Sequence, residues 1–119
     1  MLPSGEHIIL DIDHLVLFLK FITDLKANGG FWDDHRKIAK AHAEEFIQKN
    51  ISLEELLKRL DACNLFKMHK NSRYNYTLVT RSDIINNFVK IMLEEILSEM
   101  GYKIVIKEDF AKLRLIIIE

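Results

Sequence analysis

Between Asn64 and Thr80 the chain changes its period, and that change fixes the class of fold open to it. Upstream, apolar residues recur every three or four positions, the spacing of a helix with one buried face. From Phe66 onward they alternate with polar ones. Phe66 and Met68 interleave with Lys67 and His69, and Tyr74, Tyr76 and Leu78 interleave with Asn75, Thr77 and Val79. Period two on either side of the polar "KNSR" predicts a β-hairpin. Helical and strand periods in separate runs predict an α+β protein.

Three helices are expected before the hairpin. Leu15, Phe18, Leu19, Ile22 and Leu25 place the first over residues 13–27, with Asp13 as N-cap and "NGG" as the stop. Residues 8–10, Ile-Ile-Leu, read as a short strand or an extended lead-in. The second helix is expected over 34–49, capped by Asp33 or Asp34, with Ile38, Ala39, His42, Ala43, Phe46 and Ile47 as its stripe. The third has the clearest start. Ser52 and Glu55 form an S-x-x-E capping box, and Ile51 and Leu56 sit where a hydrophobic staple needs them. Leu53, Leu56, Leu57 and Leu60 continue its apolar face.

A fourth helix is expected from Ser82 to Met100, ending at Gly101. The tail "YKIVIKEDFAKLRLIIIE" reads as a second hairpin around "EDFA". Leu115 to Ile118 is apolar on both faces, so that strand must be central or lie at an interface. The stripe on the fourth helix is wider than one small neighbour covers. A homodimer is therefore expected, with Ile85, Phe88, Met92 and Ile96 at its interface.

Composition narrows the functional classes. The chain has 119 residues, 49% of them hydrophobic and 29% charged, as in one folded domain rather than a disordered chain. Its single proline is Pro3, and no repeat or linker divides it. One cysteine, Cys63, rules out an internal disulfide and fits a reducing compartment. The N-terminus has neither the basic start of a secretory leader nor the roughly 20 apolar residues of a membrane span. The expectation is a cytoplasmic protein with no membrane partner.

At a net charge of -1 the whole molecule is not drawn to nucleic acid, so any attraction must be local. Between Ala62 and Ser82 there is no acid, whereas Lys67, Lys70, Arg73 and Arg81 are all cationic. Such segregation suits phosphate contact, and His69 and Asn71 add neutral hydrogen-bonding groups.

The run "ISLEELLKRLDACNLFKMHKNSRYNYTLVT", a capped helix leading into a basic hairpin, resembles a winged helix-turn-helix domain at the superfamily level. The resemblance spans residues 13–80 and implies a recognition helix at 52–62 and a wing at 67–73. Residues 82–119 would then supply dimerisation. It implies contacts to double-stranded DNA from Lys58, Arg59, Lys67, His69, Lys70, Asn71, Arg73 and Arg81, as in a transcriptional regulator. The third helix departs from the pattern, because it shows Glu54, Glu55 and Asp61 against only Lys58 and Arg59. The alternative class is a non-enzymatic protein-interaction or assembly module on the same fold.

No catalytic set or cofactor motif emerges, and the chain is read as a non-enzyme that needs no cofactor. "NGG" lacks the lysine of a phosphate loop. Cys63, next to Leu60 and Leu65, reads as a buried thiol rather than a nucleophile. His35, His42 and Glu45 fall along one side of the second helix, yet His42 sits among apolar neighbours, and no metal site is assigned. Phe31 and Trp32 read as a staple over the core.

Overall fold

The computed structural model describes residues 12–24, 29–80 and 82–118. The chain folds as α1 (Ile12–Asp24), α2 (Gly29–Gln48), α3 (Leu53–Ala62), β1 (Lys67–Ser72), β2 (Asn75–Val79), α4 (Asp83–Glu99), β3 (Lys103–Asp109) and β4 (Lys112–Ile118). This is the α+β class expected, with helices first and a hairpin at the C-terminal end. None of the described helices is long and apolar enough to cross a membrane.

The two hairpins do not stand apart. They join into one antiparallel sheet in the order β1-β2-β4-β3. The joint is the β2–β4 ladder, which runs from Asn75↔Ile116 to Val79↔Lys112. At its ends the Thr80 amide donates to the Ala111 carbonyl (2.8 Å) and the Ile117 amide donates to the Tyr74 carbonyl (2.9 Å). The apolar tail is thus a central strand, flanked by β2 and β3.

One face of the sheet carries Leu78, Leu113, Leu115 and Ile106, all buried against the helices in a single core. Ile85, Val89, Leu93 and Leu97 of α4 are fully buried in that core, and α2 lies along the same helix. Each such aliphatic side chain contributes about 1.5–3 kcal/mol by leaving water. Ser82 caps α4 by accepting the Ile84 amide (3.2 Å), and Gly101 ends it at φ 91°, a conformation glycine adopts without strain.

The expected dimer surface on α4 gives way to this packing. Ile85 and Ile96 are 0% and 2% exposed inside the chain's own core, and Phe88 and Met92 are half-buried against it. The partners that the stripe needed are α2 and the two-hairpin sheet, which sequence periodicity does not assemble.

Other boundaries shift for physical reasons. The second helix starts at Gly29, not Asp34, so part of "NGG" opens a helix instead of closing one. Phe31, Trp32 and His35 form a ring cluster there, and His35 stacks on Phe88 at 4.2 Å. That packing outweighs the poor helix propensity of glycine. Cys63 is exposed at the C-cap of α3 rather than buried. The lead-in at 8–10, the end of the first helix beyond Asp24, and Arg81 lie outside the described residues.

His35 is buried, and its Nε2–H donates to the Phe88 carbonyl at 2.9 Å. Desolvation holds its pKa below the ordinary value, against the pull of that hydrogen bond, and the Arg36 charge lowers it further. The unfolded chain therefore takes up a proton that the folded one resists, so stability falls as pH drops through about 6.5. Thermal unfolding between pH 7.5 and 5 should show this loss, and His35→Gln should flatten the slope.

Candidate nucleic-acid interface

Strand alternation sorts the cations of the first hairpin onto opposite faces of the sheet. Lys70 pairs with buried Tyr76 and faces the helices, while Lys67 and His69 pair with Val79 and Thr77 on the outer side. The Lys70 ammonium donates to Glu54 Oε1 on α3 at 2.6 Å, the Tyr76 hydroxyl donates to the same oxygen at 3.1 Å, and Lys58 lies 3.3 Å from Oε2. These donors, Lys70 foremost, then Tyr76 and Lys58, lower the Glu54 pKa to about 2. Arg59 is likewise matched by Glu55 at 3.4 Å.

The residues expected to form a helix-plus-wing grip are therefore not brought together. Lys58, Arg59 and Lys70 face carboxylates of α3, Lys67 and His69 face away, and Arg73 lies at the hairpin tip over the Tyr74 ring (5.3 Å). Asn71 sits at a β-bulge, where its side-chain amide donates to Thr77 Oγ1 at 2.6 Å. Glu54→Gln tests the division directly. It frees Lys70 and Lys58, so oligonucleotide affinity should rise if α3 and the hairpin bind phosphate. It should stay unchanged if the outer face does, as a salt titration of each variant would show. In the same variant the stabilisation lost between about pH 4.5 and pH 2 should vanish, because Glu54 binds fewer protons folded than unfolded above its depressed pKa.

The outer face of the sheet holds a second, larger set of cations. Ladder pairing places Lys107 opposite Arg114 and Arg114 opposite Thr77, with His69 beyond, in one row across all four strands. The adjacent row reads Lys67, Val79, Lys112 and Asp109. Lys103 continues the pattern further along β3. Lys67, Lys103, Lys107, Lys112 and Arg114 are all exposed, and Asp109 is the one acid on this face among the described residues. Among those residues none of the five cations has an ion-pair partner, in contrast to Lys58, Arg59 and Lys70. Thr77, Lys107, Lys112 and Arg114, together with Glu108, Asp109 and Leu113, line a cleft of about 200 Å³. Nearby Glu108 turns to the helix side, where Lys90 lies 3.7 Å away.

The β3–β4 turn at the end of the cleft is pinned from below. Asp83 Oδ1 accepts the Ala111 amide (2.9 Å), and fully buried Asn86 donates to the Asp109 carbonyl (3.0 Å). Thr80 Oγ1 in turn donates to Asn86 Oδ1. Ala111 adopts φ 52°, a left-handed conformation that these bonds hold in place. Phe110, at the tip, is 80% exposed.

Sequence reading missed Lys107, Lys112 and Arg114 because it treated the tail only as a sticky hairpin. Their signal was present in "KIVIKEDFAKLRL", where Lys103 and Lys107, and likewise Lys112 and Arg114, lie an even number of residues apart and so share a strand face. His35 is buried and His42 is exposed, and among the described residues no three potential ligands converge on a metal position. Comparison with protein-family models, curated proteins and solved structures finds no match.

Proposed function

We propose that this protein is a non-enzymatic nucleic-acid-binding protein that contacts the phosphate backbone through the open face of its sheet. The observation that carries this reading is the pair of adjacent rows holding the unpaired cations Lys107 and Arg114, and Lys67 and Lys112, across a face the helices leave uncovered. A chain of net charge -1 that sets five unpaired cations beside a single acid on one sheet face offers a local field for a polyanion there. Arg114 supplies a fork of donors and the lysines supply mobile point charges. Relative to the helix-and-wing arrangement implied by the sequence, the target class is kept and the contact surface moves to the sheet.

Fluorescence anisotropy of labelled duplex and single-stranded DNA, titrated over a salt series, tests the reading. Binding with a negative slope of log affinity against log salt is expected. No binding at low salt to any oligonucleotide would overturn it.

A second reading rests on α1, where Leu17, Phe18 and Phe21 are 59%, 51% and 68% exposed. These side chains make α1, rather than α4, the place where a protein partner or a second copy of the chain would dock. Sedimentation of the intact protein against Phe21→Ser tests it, and a shift toward monomer in the variant alone is the expected result.

A further inference from the structure

We infer that Phe110 is a base-stacking residue and that the nucleic acid taken by this face is single-stranded. The inference rests on the proposed phosphate-binding role of the sheet and deepens it. Phe110 is 80% exposed, and no ring contact forms to it among the described residues. It is not a loose tip. Bonds from Asp83, Asn86 and Thr80 tie down the backbone at Asp109 and Ala111 on either side of it.

With the backbone held in this way, only the ring's own side-chain torsions are ordered when it meets a ligand, so more of the contact energy appears as affinity than at a mobile loop. The turn also joins the two strands that carry Lys107, Lys112 and Arg114. A nucleotide offers a phosphate and a π-face a short distance apart. The cleft, with three cations and the carboxylates of Glu108 and Asp109 in its lining, and the exposed ring that follows Asp109 in the chain offer a phosphate contact and an aromatic partner at one end of the sheet.

The face is a poor match for a duplex. Its outward residues belong to the strands themselves, and reading a groove requires a helix or ribbon that projects into it. The bases of a duplex have their π-faces covered by stacking, whereas those of a single strand are free to stack on an aromatic side chain. The rest of the face supports the same division of labour. Its interior apolar residues, Val79, Val105 and Ile116, are aliphatic, so stacking falls to the ring at the edge.

The test uses the intact protein and a labelled oligothymidylate of about 12 nucleotides. Phe110→Ala should weaken binding about 5- to 100-fold without changing the salt slope, because no phosphate contact is lost. Phe110→Trp should restore it. Affinity for a duplex of the same length should respond less than threefold to Phe110→Ala. If Phe110→Ala binds the oligothymidylate as the parent does while Lys107→Ala weakens it, the stacking role is wrong and the phosphate-binding role stands. If the parent binds no oligonucleotide, the phosphate-binding role itself fails. Binding to phosphatidylserine vesicles that depends on Phe110, with none to the oligonucleotide, would overturn the inference in favour of a membrane surface.

Discussion

Replacing Lys107, Lys112 and Arg114 together by Ala weakens oligonucleotide binding by about 10- to 100-fold at low salt and reduces the salt slope by about 2. The slope change is the stronger expectation, since each phosphate contact on a single strand contributes about 0.7 to it through counterion release. All three side chains are exposed, and the ladder around them is held by backbone bonds, so the variant should keep its fold. Circular dichroism and an unchanged melting profile confirm that. Lys70→Ala is the matched control. Its charge is already committed to Glu54, so its removal should leave both affinity and slope near the parent values. A triple variant that binds like the parent, with the Lys70 variant defective, would return the site to α3 and the first hairpin.

The second large effect concerns stability. Ile85→Ala should cost about 2–5 kcal/mol, because it removes methyl groups from a position 0% exposed and leaves a cavity between α4 and its neighbours. Urea unfolding should show a lower midpoint with an unchanged slope. The same variant decides between core and interface. A core residue lowers the stability of the chain at every protein concentration. An interface residue would instead shift the concentration dependence of association, visible in sedimentation, and leave the monomer's midpoint in place.

Local features of this fold are readable from sequence, and long-range ones are not. Ser52 caps α3 as its capping box implies, α4 begins at Asp83 behind Ser82, and Gly101 follows its end. Both hairpins follow from period-two alternation. What the period does not show is that β2 and β4, separated by all of α4, lie side by side. That pairing absorbs the apolar tail, and α2 with the joined sheet covers the α4 stripe; these were the two features that had called for a second subunit. The candidate site was legible in part for the same reason. Segregated charge marked the first hairpin and period two sets Lys67 and Lys70 on opposite faces, but only the ladder shows that Lys67 shares its face with Lys112. Partner choice is equally non-local: Glu54 lies 16 residues from the lysine that it neutralises.

The bulge at Asn71 has a consequence for where that charge resides. The hairpins β1-β2 and β3-β4, each preceded by a helix, are related by an approximate two-fold axis through the β2–β4 ladder. The bonds Thr80 to Ala111 and Ile117 to Tyr74 are its matching pair. Counted back from the hairpin tips Lys70 matches Lys107, each three residues ahead, but in the ladders Lys70 takes the place of Glu108 and His69 that of Lys107. β3 runs without interruption, so Lys107 faces the cleft. In β1 the extra residue slips the register by one and turns Lys70 to the opposite side, onto Glu54. A single inserted residue thus breaks the symmetry of two like halves, giving one lysine to the packing of a helix and its counterpart to the open surface.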